Sequence, residues 1–152
     1  MNNEQLKEKI LAMFPKAEFV DTKGQLTVTV PSSKILSFAK DLKESPDTCF
    51  DYLISLSGVD YTKTMAVFYH VTSSKFNHTI TIKTILPSRD NAATDSVFGV
   101  WKSAEFHERE AWDLLGITFK NHPDLRRMFL EETWVGHPLR KDYSDPINIV
   151  ER

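Results

Sequence analysis

Three consecutive segments in the middle of the chain carry the β-branched and apolar residues typical of strands, with only short links between them. The segments cover residues 50–56, 65–71 and 78–86. The links, residues 57–63 and 72–77, have lengths that commonly join neighbouring antiparallel strands. Residues 65–71 are apolar at both alternating sets of positions, which predicts a strand in the interior of a sheet. The pattern therefore predicts a largely antiparallel sheet as the framework of the fold.

Helical and strand patterns also precede this sheet. A helical pattern over residues 6–14 ends at a proline. Two strand-like segments, residues 18–20 and 26–30, flank a turn at Lys23-Gly24 and read as a hairpin. A second helix with one apolar face follows residues 31–33.

A longer helix is predicted after the sheet, from about Thr94 to Leu115, with Gly116 in the position of a C-terminal cap. The predicted order is helix, two strands, helix, three strands, helix. Segregated runs of this kind favour a two-layer α+β domain, with helices on one face of a largely antiparallel or mixed sheet. We therefore assign residues 1–115 to a core domain.

The sequence changes character beyond that domain. Residues 116–152 show little periodicity but contain several prolines, several arginines and Trp134. Disordered tails seldom carry aromatic and aliphatic residues at this density. We predict that residues 116–152, called the C-terminal arm below, are extended and become ordered by packing on partner subunits.

Composition argues against several classes of protein. The net charge of -2 gives no electrostatic reason to bind nucleic acid. Cys49 is the single cysteine, whereas iron–sulfur clusters and structural zinc sites normally need several thiolates. No apolar run approaches the roughly 20 residues that span a bilayer. We expect a cytoplasmic chain that binds no cofactor and reaches a membrane only through its partners.

Sequence motifs of catalysis are also missing. The histidines show no H-E-x-x-H spacing, and the glycines form no phosphate-binding loop. We therefore predict no catalytic, cofactor-binding or metal-binding residues. An independent hydrolase that uses His107, His122 or His137 with nearby carboxylates is the alternative, and metal analysis of the purified chain would test it.

Charged residues concentrate in the last turns of the predicted long helix. Arg109 lies four residues after Glu105 and four before Asp113, so the three side chains share one helix face. A solvated network of ion pairs, worth roughly 0.2–1 kcal/mol per pair, is one explanation. The other is that one carboxylate is buried against a partner's arginine. For the nearby Trp112 and Trp134, an interface role and packing inside the fold both remain open.

Two blocks of the sequence resemble the signature of the C subunit, or 30 kDa-type subunit, of NADH:quinone oxidoreductase, the respiratory complex I. The first block, residues 108–128, contains an E-R-E triplet, an acidic residue followed by two apolar ones, a glycine and H-P-D-L-R-R. The second block, residues 136–143, reads G-H-P-L-R-K-D-Y. The length, order and spacing of these matches make the resemblance specific.

The resemblance implies a cofactor-free subunit of the complex's peripheral arm, on the cytoplasmic side of the cell membrane. Flavin and iron–sulfur clusters are then expected on partner subunits, and the D subunit of the complex is the expected principal partner. An equivalent subunit of a membrane-bound hydrogenase, or of a ferredoxin- or F420-dependent complex, is the alternative. The residues predicted to contact partners are Glu108, Arg109, Glu110, Trp112, Asp113, His122, Arg126, Arg127, Trp134, His137, Arg140 and Lys141.

Overall fold

A computed structural model of the chain describes residues 2–22, 24–145 and 147. Its elements are α1 (Asn3–Met13), β1 (Glu18–Thr22), β2 (Gln25–Thr29), a 3-10 turn (Ser32–Lys34), α2 (Ile35–Glu44), β3 (Tyr52–Asp60), β4 (Met65–Ser73), β5 (His78–Leu86), β6 (Ala93–Asp95), α3 (Ala104–Leu115) and β7 (Thr118–Lys120). The predicted order of helices and strands is confirmed, with β6 and β7 as additions. Lys23 of the predicted turn lies outside the described residues, while Gly24 has a φ of +82°.

Five strands form one mixed sheet in the order β1-β2-β5-β4-β3. The neighbouring strands are antiparallel, except that β2 and β5 run parallel. Because β4 lies between β5 and β3, the prediction of an interior strand there is confirmed. The structure thus confirms the predicted α+β class with a mixed, mostly antiparallel sheet.

One face of the sheet shares a single hydrophobic core with all three helices. Val28, Ile82 and Tyr69 stand beside one another on three adjacent strands, and each is completely buried. The helices contribute Leu6, Ile10, Phe38, Leu42, Ala104, Ala111 and Leu115. On the opposite face of the sheet Ile85 is 46% exposed. This two-layer arrangement explains why apolar residues alternate along β2 and β5.

Strand β3 is longer than the sequence predicts. We expected it to stop at Leu56, before the small residues Ser57 and Gly58, and this boundary is wrong. Gly58 pairs with Val67 of β4 within the strand. A Cβ atom at Gly58 would lie 2.6 Å from Leu115 Cδ1 and 2.7 Å from Ile117 Cδ1. The glycine is needed because α3 and the residues after it approach the strand closely, which is one of the uses of glycine inside strands.

Helix α3 begins ten residues later than predicted. Thr94, the expected first residue, lies in β6 and pairs in parallel with Phe119 of β7. Between β6 and the helix, the N–H groups of Val100 and Trp101 both donate to the main-chain oxygen of Val97 in a turn. The predicted C-terminal cap is confirmed, since Gly116 has a φ of +73° and its N–H donates to the Trp112 oxygen over 2.8 Å.

The start of the C-terminal arm packs into the core. Ile117, just before β7, is fully buried, and Phe119 within β7 is 1% exposed. Beyond it, residues 121–145 and 147 contain no helix or strand, and residues 146 and 148–152 lie outside the described part. No helix among the described residues is long and apolar enough to cross a membrane.

Candidate partner interface

The charged residues at the end of α3 point in two directions. Glu108 and Asp113 are fully buried and Arg109 is 7% exposed, whereas Glu110 and Trp112 are half-buried. Because a buried charge is costly unless it is paired or hydrogen-bonded, the three buried groups need partners inside the chain. Each of them has such partners, and most come from the C-terminal arm.

Asp113 binds the arm through both carboxylate oxygens. Oδ2 accepts hydrogen bonds from three consecutive main-chain N–H groups, those of Met128 (3.0 Å), Phe129 (2.7 Å) and Leu130 (3.1 Å). Oδ1 accepts from Nη1 of Arg127 over 2.8 Å. Burial acts to raise the pKa of Asp113, but these four hydrogen bonds outweigh it and lower the pKa to about 2. The carboxylate is therefore ionised at neutral pH and organises the residues that surround it.

Arg127 closes the arm into a loop. Its Nη2 donates to the main-chain oxygens of Trp134 (2.8 Å) and Gly136 (2.9 Å), while Nη1 also donates to the main-chain oxygen of Asp113 (3.1 Å). Nδ1 of His137 lies 2.9 Å from that same Asp113 oxygen. A planar guanidinium with several donors suits this role, because it can bind a carboxylate and several carbonyl groups at once. The region from Arg127 to His137 is thus tied to the end of α3.

Arg109 and Glu108 complete the inward-facing set. Arg109 donates to the main-chain oxygens of Arg126 (3.3 Å) and Arg127 (3.1 Å) rather than to the carboxylates of its own helix face. Glu108 accepts from Ser96 Oγ (2.6 Å) and from the N–H of Val97 (2.8 Å) in the turn that precedes α3. Neither explanation from the sequence, a solvated network or a partner's arginine, describes these buried groups. Their partners belong to the same chain.

Glu108 has an unusual environment for a carboxyl group. Burial raises its pKa to about 7, because the hydrogen bonds from Ser96 and Val97 offset only part of the cost of removing the charge from water. His122 Nε2 lies 3.8 Å from Glu108 Oε2, and the side chain of His122 is also fully buried. Nε2 of His122 also lies 3.0 Å from the main-chain oxygen of Glu105, and Nδ1 of His122 accepts a hydrogen bond from the N–H of Asp124.

A second anchor, for which the sequence gives no local signal, holds the arm near residue 142. Asp60, at the end of β3, accepts from Arg89 Nη2 (2.7 Å) and from the N–H of Lys141 (2.9 Å). Arg89 also pairs with Asp142 over 2.9 Å, and Asp142 pairs with Arg140 over 2.9 Å. Burial acts to raise the pKa of Asp60, but the contacts with Arg89, Lys141 and Thr62 lower it to about 2. Asp60 and Lys141 are 81 positions apart in the sequence, which explains why no local motif revealed this contact.

The anchored arm exposes apolar side chains on its outer surface. Phe129 and Leu139 are each 60% exposed, and Val135 is 87% exposed. We call Phe129, Val135 and Leu139 the apolar arm surface. They are the most exposed large apolar side chains of residues 121–145, and contact with a partner would remove them from water.

The twelve residues predicted to contact partners divide accordingly. Side-chain hydrogen bonds or ion pairs within the chain are made by Glu108, Arg109, Asp113, His122, Arg126, Arg127, His137 and Arg140. The Trp112 ring contacts His137 and Arg127. The side chains of Glu110, Trp134 and Lys141 form no hydrogen bond or ion pair with the described residues. The assignment of this set to an interface stays a prediction. No group of three or more potential metal ligands occurs in the described part of the chain.

Comparison with known proteins identifies the family. Residues 28–146 match the family described as "Respiratory-chain NADH dehydrogenase, 30 Kd subunit". The chain belongs to this family. The C subunit of the NADH-quinone oxidoreductase of Geotalea uraniireducens is 40% identical over 143 residues, which cover 91% of this chain and 84% of that protein.

Other relatives are longer than this chain. The corresponding C subunit of Polaromonas naphthalenivorans is 38% identical over 129 residues, 79% of this chain and 63% of that protein. The chain thus spans less than two thirds of that relative. A protein of Phocaeicola vulgatus, named as a C/D subunit of the same oxidoreductase, is 38% identical over 122 residues, 80% of this chain but 23% of that protein.

Two solved structures share the fold. One is a trypsin-resistant fragment of Nqo5, with a TM-score of 0.69 and 25% identity, covering 82% of this chain and all of the fragment. The other comes from the membrane-bound sulfane sulfur reductase, an archaeal respiratory membrane complex. Its TM-score is 0.74 and its identity is 26%, over 93% of this chain and 85% of that one. Both likenesses agree with membership of the 30 kDa family.

Proposed function

We propose that this chain is a cofactor-free structural subunit of the peripheral arm of a proton-pumping NADH:quinone oxidoreductase. In this role it docks to the D subunit, beside the quinone-reduction module on the cytoplasmic side of the membrane. It contributes no catalytic residue of its own. The observation that carries the proposal is the family match over residues 28–146, together with relatives named as the C subunit.

The relative named as a C/D subunit supports the choice of the D subunit as the partner. This chain matches only about a quarter of that protein, so the C-like part is joined there to a much larger remainder. Two proteins that function as one chain in a relative are expected to lie in contact when they are separate.

The geometry of the arm supports a docking role. The Asp113 and Asp60 anchors fix the arm's backbone within this chain, so the apolar arm surface is held in position before any partner arrives. A preorganised surface loses less conformational entropy when it binds. The functional value of the buried charges is therefore to hold the arm, and its exposed residues make the contact.

An equivalent role in a related membrane-bound reductase is the second candidate. It is supported by the likeness to a chain of the membrane-bound sulfane sulfur reductase, which is as high as the likeness to Nqo5. The fold of this chain is compatible with either complex, because the electron donor would bind to other subunits.

Affinity purification of the full chain from its native membranes, after mild detergent treatment, tests both candidates. Co-purification of the D subunit with flavin- and iron–sulfur-bearing subunits is the result expected. A hydrogenase-like or sulfur-reducing set without an NADH-binding subunit would favour the second candidate. Purification of the chain alone would refute both.

A matched pair of variants tests the docking surface. Phe129→Asp, at a 60% exposed position of the apolar arm surface, should reduce the recovery of the D subunit strongly. Val20→Asp changes a residue of similar exposure, 56%, on strand β1 and should leave recovery unchanged. Equal recovery with both variants would show that the arm is not the contact.

A further inference from the structure

Of the four charged residues 108, 109, 110 and 113 at the end of α3, Glu110 alone lacks a partner within the described part of the chain. Glu108 is bound by the turn before the helix, Arg109 by carbonyl groups of the arm, and Asp113 by Arg127. Glu110 makes no hydrogen bond or ion pair with residues 2–22, 24–145 or 147. The nearby cations Arg109 and Arg127 are already engaged, so the carboxylate needs either water or an outside partner.

Glu110 lies in an apolar groove between β3, α3 and the arm. The groove has a volume of about 220 Å³, and its apolar wall includes Leu56, Leu114, Leu115 and Leu139. This volume is smaller than the roughly 300–1,000 Å³ of typical small-molecule sites. The groove is therefore of a size for one or two side chains rather than for a cofactor.

A carboxylate beside leucines specifies the kind of group that would fit. An occupant that covers the groove removes Glu110 from water, which is costly unless the occupant supplies a positive charge. Arginine and lysine combine a long apolar stem with a charged end, so the stem can lie along leucines while the end pairs with a carboxylate. Arginine fits better, because its guanidinium can bind a carboxylate through two hydrogen bonds.

We infer that this groove receives an arginine or lysine side chain, with an apolar neighbour, from a partner subunit, and that Glu110 pairs with its charge. The inference rests on the proposed function, because it names the chemistry of the partner segment at that interface. It separates Glu110 from the other charged residues of α3. They hold the fold together, and Glu110 selects the partner.

Photo-cross-linking from position 139 tests which protein occupies the groove. Leu139 lines the groove and is 60% exposed, so a benzophenone amino acid fits there in the full chain within the native complex. The expected adduct is a peptide of another subunit that contains arginine or lysine. An adduct with a second copy of this chain, or no adduct although the chain still co-purifies with the oxidoreductase, would overturn the inference and leave the proposed function intact. A chain that co-purifies with no other subunit would refute the proposed function itself.

Competition between tagged chains tests the charge. Wild type and Glu110→Gln are co-expressed, and their ratio in the purified complex is measured. Because Glu110→Gln removes one partner of a buried charge pair, the variant should be depleted from the complex by about 30-fold or more relative to wild type. Glu8→Gln, which removes the same charge from an exposed site on α1, should be retained equally with wild type. Because Glu110 has no partner in the described chain, the isolated Glu110→Gln variant should unfold with the same free energy as wild type. If the variant is depleted from the complex by less than about threefold, the inference is overturned.

Discussion

Replacing Asp113 by asparagine should release the arm segment that begins at Arg127 from the end of α3. Asparagine keeps the size of the side chain but has one acceptor oxygen, while the arm presents three main-chain N–H groups and a guanidinium. At least one of these buried donors then loses its partner. The charge of Arg127, whose side chain is 10% exposed, also loses its compensation.

The size of the effect follows from two estimates. The difference between an ordinary carboxyl pKa of 3.8 and the value of about 2 for Asp113 corresponds to about 2.5 kcal/mol of stability at neutral pH. Removing one partner of a buried ion pair typically costs about 3–5 kcal/mol. We therefore expect Asp113→Asn to lower the free energy of unfolding by roughly 2.5–4 kcal/mol. This difference from wild type should be fully present above pH 3.8 and disappear once the pH falls below about 2, because a lowered pKa means that only the ionised carboxylate stabilises the fold.

Limited trypsin digestion under native conditions measures this loss locally. The arm contains Arg126, Arg127, Arg140 and Lys141, and cleavage follows the population in which the arm is open. A change of about 2.5 kcal/mol corresponds to roughly 70-fold faster cleavage in the arm. Asp124→Asn is the matched control, since it removes an exposed carboxylate that pairs with Arg126 in the same arm. Equal cleavage rates in Asp113→Asn and the control would refute the anchoring role.

Two further changes test the core and its buried carboxyl group. Gly58→Ala should lower the free energy of unfolding in urea by about 1–3 kcal/mol, because its Cβ would lie 2.6 Å from Leu115 Cδ1. Gly99→Ala, with open space around the site, is the control, and equal losses would contradict the close-packing argument. Urea unfolding of Glu108→Gln and wild type is compared between about pH 4.5 and pH 8. Across this range the free energy of unfolding of the variant should rise by about 3 kcal/mol relative to that of wild type. The reason is that the pKa of Glu108 is about 7, so ionisation of the buried carboxyl group destabilises wild type as the pH rises. Parallel pH profiles would contradict that environment for Glu108.

Local patterns were sufficient for the elements themselves. Strand-like runs of β-branched and apolar residues predicted β2 and β5, the doubly apolar run predicted the interior position of β4, and Gly116 marked the end of α3. These features depend on side-chain periodicity and on the backbone freedom of glycine, and both can be read from neighbouring residues. The two signature blocks likewise led to the family that the comparisons identify.

Two boundaries required the tertiary structure. The sequence pattern predicts a helix from about Thr94, but the pairing of Thr94 with Phe119 in β6 and β7 is a long-range contact that local propensity does not contain. Gly58 has the local signature of a strand end, whereas in the structure it permits α3 to pack closely against a strand that continues past it. In both cases packing between distant segments decided the local conformation.

The sequence by itself determined which residues carry charge at the end of α3 and in the arm, and which family they belong to. Only the tertiary structure decided where those charges go: Asp113 binds Arg127, Asp60 binds Arg89, and Glu110 faces an open groove. A solvated ion pair and a buried one have the same sequence spacing. Their roles differ because burial, set by the packing of the whole chain, fixes the cost of leaving a charge unpaired.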